Sequence, residues 1–247
     1  PPTSFPFLEN YIFSLKKRPF FIGLKKGAKK AVPNLWVKKW GRVAPPKGGI
    51  KKTCPEAKLP KDRRKKTMMN IWHDIAPERI KSDDFVACIE ISKGGKNKYE
   101  MDKETGMLKL DRVLYTSTHY PANYGFIPRT YADDNDPLDV LVLCSEAILP
   151  MTLVKCYPIG VIKMIDSQSI DEKIIAIPDR DPNYNAYRDV NSLPRHILDE
   201  IMHFFSVYKM LEGKETIVKE LCGRDVAIDI VSKCIKAYED KFGDEQN

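Results

Sequence analysis

An α+β fold, a small closed antiparallel β-barrel with two C-terminal helices packed outside it, is predicted by three features of the sequence. Short runs rich in β-branched and aromatic residues recur from Phe85 to Pro178, each bounded by Pro, Gly, Asn or Asp. After residue 192 the apolar residues switch to helical spacing. Before residue 68 neither period is sustained.

The first 67 residues carry nineteen Lys and Arg against three acids, Glu9, Glu56 and Asp62. Pro33, Pro45, Pro46, Gly48 and Gly49 are scattered through them, and the only apolar stripe is Leu8, Tyr11, Ile12 and Leu15. Such a segment buries too little to offset its chain entropy. Residues 1–67 are therefore read as a basic, poorly ordered extension, and 68–247 as the folded body. The chain's net charge of +7 conceals this split, because the body holds 22 basic residues against 31 acids.

Within the body, FVACIEIS from Phe85, then KYEMD, a turn at 103–106 and LKLDRVL read as strands, the last two forming a hairpin. DVLVLC (139–144), LVKCYPIGVIKMID (153–166) and EKIIAIP (172–178) extend the sheet. Five or more short strands of this kind suit a small closed barrel, OB-like in type. Ser192 as cap and Pro194 as first residue open a helix over 193–212, with Ile197, Leu198, Ile201, Met202, Phe205 and Tyr208 on one face. A second helix over 224–241 is marked by Val226, Ile230, Ile235 and Tyr238.

Six cysteines at 54, 88, 144, 156, 222 and 234 form no zinc-spaced pair. Cys88, Cys144 and Cys156 lie in apolar runs, as small buried hydrophobes of a reducing compartment. No apolar stretch reaches the roughly 18 residues of a membrane span.

The chemistry concentrates at Asp133-Asp134-Asn135-Asp136-Pro137-Leu138-Asp139-Val140, where four carboxylates fall within seven positions. Such crowding opposes full ionisation unless cations neutralise it. Oxygen-only donors suit a hard ion, Mg²⁺ or Mn²⁺ before Zn²⁺. A calcium loop fails, since Asp139 stands at the required Gly and Ser145 at the required Glu. A solvated acidic turn is the competing reading of this run by itself. Asp166, Asp171 and Glu172 make a second cluster beside Lys173, and Lys98, Glu100, Arg112, Tyr120, Tyr124, Tyr208 and Lys209 punctuate the same elements. Cations and phenols beside metal-binding carboxylates suit a polyanion bridged by metals.

From about residue 71 onward the chain resembles the short, bacterial-type family I inorganic pyrophosphatases. The run 134–140 matches that family's signature in full. I-E-I at 89–91, K-Y-E at 98–100, L-D-R at 110–112, Y-P-A-N-Y-G at 120–125, K-M-I-D at 163–166, D-E-K at 171–173 and Y-K at 208–209 follow in its order. The resemblance implies a catalytic domain over 68–247 that hydrolyses pyrophosphate to two orthophosphates. Asp134, Asp139 and Asp171 would hold the first activating metal, with Asp139 bridging to a second, so that water between them loses its proton near neutral pH. Asp136 would be the general base; Asp166, Asp171 and Glu100 would serve ions arriving with substrate. Lys98, Arg112, Tyr124, Lys173, Tyr208 and Lys209 would hold the phosphoryl groups, with Glu90 and Tyr120 in support. Roughly three to four Mg²⁺ ions are implied in the substrate complex, replaceable by Mn²⁺ or Zn²⁺ and opposed by Ca²⁺. Ser167 stands where the family carries an acid, and Ser92 replaces a common proline.

A hexamer is implied for the short type, and a dimer for extended relatives, in the cytoplasm or, if the extension is a targeting segment, in an organelle. A nucleic-acid-binding barrel is the competing class, its Lys-rich arm with Trp36 and Trp40 supplying charge and stacking. The net-negative body argues against it, leaving at most an extension that binds nucleic acid or another anionic surface.

Overall fold

The computed structural model describes residues 69–166 and 169–243; the expectations for residues 1–67 and for Ser167 fall outside them. A short α1 (Ile71–Asp74), whose Asn70 cap accepts from Trp72 N, leads into β1 (Phe85–Ile91). A hairpin of β2 (Asn97–Met101) and β3 (Leu108–Val113) follows. Next come β4 (Asn123–Phe126), β5 (Asp139–Val142), β6 (Leu153–Asp166) and β7 (Ser169–Pro178). The chain then forms α2 (Arg195–Val207), β8 (Thr216–Gly223) and α3 (Arg224–Phe242).

Hydrogen-bonded neighbours run β1-β4-β5-β7-β6-β8, and β1 also pairs with β6, so five strands form a ring with β8 attached to β6. β2 and β3 form a separate two-stranded sheet. The fourteen residues of β6 explain how one strand serves three partners. One edge pairs with β7 from Cys156 to Asp166; the other pairs with β1 through Leu153–Cys156 and with β8 through Gly160–Asp166. The exchange falls at an irregularity between Pro158 and Gly160. Proline offers no donor to the ladder, and a Cβ at Gly160 would lie 2.8 Å from the Cys222 carbonyl. β1 is buried at all seven positions, as its unbroken apolar run requires.

Three expectations are corrected. The sheet is mixed: β5 and β7 run parallel, because the chain reverses twice, into β6 and out of it, before β7 takes its place beside β5. Two strands were not foreseen, β4 within Y-P-A-N-Y-G and the polar edge strand β8. The helix expected over 193–212 is α2 followed by a 3₁₀ turn, Met210–Glu212, stopped by Gly213 at φ 69°. Its N-cap is Pro194, without a side-chain bond. Ser192 belongs to the preceding 3₁₀ turn, where its hydroxyl donates to the Asp189 carbonyl at 2.5 Å.

α2 buries Leu198, Ile201, Phe204 and Phe205 in a cluster with Tyr120, Tyr124, Leu141 and Ile175. α3 packs on β6 and β8 and buries Ala227, Ile230, Val231 and Cys234 in a cluster that includes Cys156 and Val161 of β6. Each buried Leu, Ile, Val or Phe among these contributes about 1.5–3 kcal/mol. Cys88 and Cys156 are buried as expected, whereas Cys144 is only half-buried. Among the described residues no helix is long and apolar enough to cross a membrane.

Candidate active site

The acidic run forms the connection into β5. Asn135 takes φ 69°, its N–H donates to the Ala132 carbonyl at 3.1 Å, and the Ala132 N–H donates to the Asp136 carbonyl at 2.8 Å. Within this turn Asp136 N–H donates to Asp134 Oδ1 at 3.1 Å. The left-handed residue reverses the chain tightly enough that Asp134 and Asp136 line one cavity of about 530 Å³ with Asp139. Asp133 is not on that cavity; it pairs with Lys233 of α3 at 3.3 Å.

Parallel pairing sets Asp139 of β5 beside Lys173 of β7. Lys173, 3% exposed, reaches Asp139 Oδ2 at 2.7 Å, Asp171 Oδ1 at 2.9 Å and the Tyr124 hydroxyl at 3.0 Å. Burial opposes the ammonium charge, but Asp139, Tyr124 and Asp171 outweigh it and hold its pKa well above the ordinary value. The Tyr124 hydroxyl donates to Asp139, and burial, then the Asp139 charge, pushes its pKa well up. Both groups therefore remain donors around neutral pH.

Burial raises the Asp134 carboxyl, and the charges of Asp139, Asp136 and Asp171 raise it further against the bond from Asp136 N. Glu90 on β1 is 7% exposed and accepts from Met101 N–H at 2.6 Å. Burial first, and then Asp139, push its pKa up to about 8, so it carries a proton at neutral pH.

The hairpin supplies Lys98 and Glu100, which pair with each other, Lys98 lying 3.5 Å from Asp111. At the end of β6, Asp166 pairs with Lys209, which follows α2. Tyr208, buried and stacked on Phe204 at 5.3 Å, closes the wall, its phenol raised by burial. Of the residues singled out in the sequence, Arg112, Tyr120, Glu172 and, as noted, Asp133 do not reach the cavity. Arg112 Nε donates to Glu212 at 2.9 Å and Nη1 pairs with Asp111, while Nη2 is buried without a hydrogen-bond partner. Tyr120 is a core residue, its ring 5.3 Å from Tyr124 and 4.8 Å from Phe204. The hairpin tip adds Asp102, Lys103, Glu104 and Lys109, which in the sequence are ordinary strand and turn residues. Their signal was alternating charge at a tip that follows K-Y-E by only a few residues.

Among the described residues no trio of carboxylate, imidazole or thiol groups is already gathered around one point; Lys173 is drawn between Asp139 and Asp171, and Lys209 pairs with Asp166. The donors facing the cavity are nevertheless carboxylate oxygens from Asp134, Asp139 and Asp171. That set fits a hard divalent ion. Acids able to hold cations, ringed by lysines and phenols, can bind a compact polyanion and deliver water to it.

Residues 87–239 match the inorganic pyrophosphatase family. A soluble inorganic pyrophosphatase of Chlamydomonas reinhardtii is 44% identical over 177 residues, covering 71% of this chain and 92% of that protein. A soluble inorganic pyrophosphatase of Solanum tuberosum is 44% identical over 175 residues, 71% of this chain and 83% of that one. Among solved structures, the inorganic pyrophosphatase of Helicobacter pylori superposes with TM-score 0.63 at 45% identity, over 65% of this chain and 96% of that chain. With that span and identity, the chain belongs to the family of soluble inorganic pyrophosphatases.

Proposed function

We infer that the chain hydrolyses inorganic pyrophosphate to two orthophosphates, and that Mg²⁺ is the activating ion. The observation that carries this is one cavity shared by Asp134, Asp136, Asp139 and Asp171 on one side and Lys98, Lys173 and Lys209 on the other. Pyrophosphate is small and highly charged, so binding it requires cations on the protein and metals between the anions. Asp134, Asp139 and Asp171 would hold the activating ions, and Asp166, Asp171 and Glu100 would serve ions that enter with substrate, roughly three to four in all. A bound divalent ion lowers the pKa of its water far enough to supply a nucleophile near pH 7.

The protein's share is positioning and proton handling. Asp136 takes the proton of the attacking water on its carboxylate. Lys98, Lys173 and Lys209 hold the phosphoryl oxygens, and Tyr124 and Tyr208, kept protonated by burial, donate to them. Arg112, held by Glu212 and Asp111 outside the cavity, would join this set by turning its unpartnered Nη2 towards the phosphoryl oxygens. Glu90 braces the hairpin through Met101, and Tyr120 backs Tyr124.

The ring of strands is read as the small closed barrel, since β1 pairs on both edges. A homo-oligomer, a hexamer ahead of a dimer, is supported by large apolar side chains left exposed, Leu149, Met210 and Leu211 among them. Free cysteines among the described residues support a reducing compartment such as the cytoplasm. Residues 1–67 are an appended basic segment.

Phosphate release from pyrophosphate is measured with Mg²⁺, without it, and with Ca²⁺ in its place, ATP serving as a competing substrate. Rapid Mg²⁺-dependent turnover of pyrophosphate, little of ATP and suppression by Ca²⁺ are expected. No release under any condition refutes the reading.

A further inference from the structure

The hairpin tip brings one more cation against the carboxylate read as the base. We propose that Lys103 is a positioning residue that acts through Asp136, and that Trp72 holds Lys103 in place. The proposal rests on Asp136 being the base.

Asp136 has its backbone fixed by the turn, but among the described residues the only side-chain partner of its carboxylate is Lys103. Oδ1 is enclosed by that ion pair and accepts no conventionally oriented hydrogen bond. The side chain is nonetheless 50% exposed, so its open part is the end away from Oδ1. Anchoring one oxygen leaves the other to meet water, which is the geometry a general base needs.

Lys103 is itself 52% exposed, so burial does not fix it. Two contacts do. Its ammonium lies 5.6 Å from the centre of the Trp72 ring, and its carbonyl accepts from Asn70 Nδ2 at 3.1 Å. A Cβ at Gly106 would fall 2.7 Å from the Met69 carbonyl, so the tip lies flush on this segment. Trp72 is held in turn: Nε1 donates to the Thr130 carbonyl at 2.9 Å, and the ring packs edge-on to Phe242 at 5.5 Å. A continuous path therefore runs from Thr130 through Trp72 and Lys103 to Asp136. Residues 69–72 lie upstream of the family-matched span 87–239, yet they reach the site through Lys103.

The test is steady-state pyrophosphate hydrolysis by the full chain at saturating Mg²⁺, with melting temperatures recorded alongside. Lys103→Gln is expected to lower kcat ~10-fold while KM changes less than ~2-fold, and Lys103→Arg to restore most of the loss. Trp72→Phe gives a smaller loss of the same kind. In an Asp136→Asn background, itself down by ~100-fold or more, Lys103→Gln adds less than ~2-fold. A full ~10-fold effect in both backgrounds, or a raised KM with kcat intact, overturns the proposal in favour of direct contact with substrate. A fall in melting temperature that tracks the activity loss, without rescue by Arg, overturns it in favour of a structural role. Wild-type turnover by Asp136→Asn removes the base assignment itself, an outcome distinct from either.

Discussion

Replacing Lys173 by methionine isolates the contribution of its charge. Methionine keeps an unbranched side chain of similar length near the rings of Tyr124 and Phe205, whose centres lie about 5.4 Å from the ammonium, so packing changes little. What disappears is a cation bonded to Asp139 at 2.7 Å and Asp171 at 2.9 Å. Their side chains are only 27% and 14% exposed, so water replaces the ammonium poorly. Removing one partner of a buried pair costs about 3–5 kcal/mol, and the partial exposure of Asp139 puts this case near the lower figure. For a domain of this size each kcal/mol lowers Tm by about 2–4 °C, so a fall of roughly 6–12 °C is expected in EDTA. A divalent ion competes with the ammonium for the same oxygens. The variant should therefore gain more from Mg²⁺ than the wild type does, and binding at a hundred times Kd stabilises by about 2.7 kcal/mol. The Tm gap between the two proteins should close by roughly half or more in saturating Mg²⁺, followed by circular dichroism. A gap of the same size with and without Mg²⁺ would show that Lys173 and the metals do not share those carboxylates. A gap below about 2 °C in EDTA would show that the ion pairs contribute almost nothing.

Asp139→Asn should raise the Mg²⁺ concentration needed for half-maximal activity by ~10-fold or more, because it weakens a carboxylate shared between ions; an unaltered metal dependence would remove Asp139 from the ligand set. Glu90 holds its proton more tightly folded, with a pKa of about 8, than its ordinary value of 4.5. The stability this contributes is complete below pH 4.5 and is lost as pH rises towards about 8. Glu90→Gln can still accept from Met101 and has no proton to lose, so its thermal stability should decline less from about pH 5 to about pH 9; parallel curves would contradict the buried-acid reading. A Cβ at Gly125 would lie 1.9 Å from the Cys88 carbonyl oxygen across the β1–β4 pair. Gly125→Ala should therefore yield an unfolded or insoluble chain, checked by far-ultraviolet circular dichroism, and a native spectrum with full activity would refute the register.

The strands written in apolar residues were legible. β6 runs from Leu153 to Asp166 as its apolar run ends, and β1 stops one residue short of the expected Ser92. β4 was hidden because its four residues sit in a stretch of Pro, Asn and Gly that reads as turn. β8 was hidden because an edge strand that pairs only with β6 can keep Lys219 and Glu220 in solvent. The parallel β5–β7 pair was not legible at all, since direction depends on where β6 lies and not on the local residues. At the site, the acids of the run 134–139 announced themselves by crowding. Arg112 carries the right charge but turns to Glu212 and Asp111, partners that spacing does not reveal. Lys103 looked like any lysine of a hairpin turn until the fold set Asp136 beside it.

The β5–β7 pairing also limits how the chain can vary in length. Asp139 stands beside Lys173, and Asp171 lies two residues before it on the same face. Because side chains alternate along a strand, deleting Ile174 or Ile175 would turn one set to the opposite face while every acid and lysine remained in the chain. Such a protein would keep its whole inventory of functional groups and lose their meeting point. Insertions and deletions compatible with activity are thus confined to the turns, and the spacing within β5 and β7 is as much a part of the active site as the carboxylates themselves.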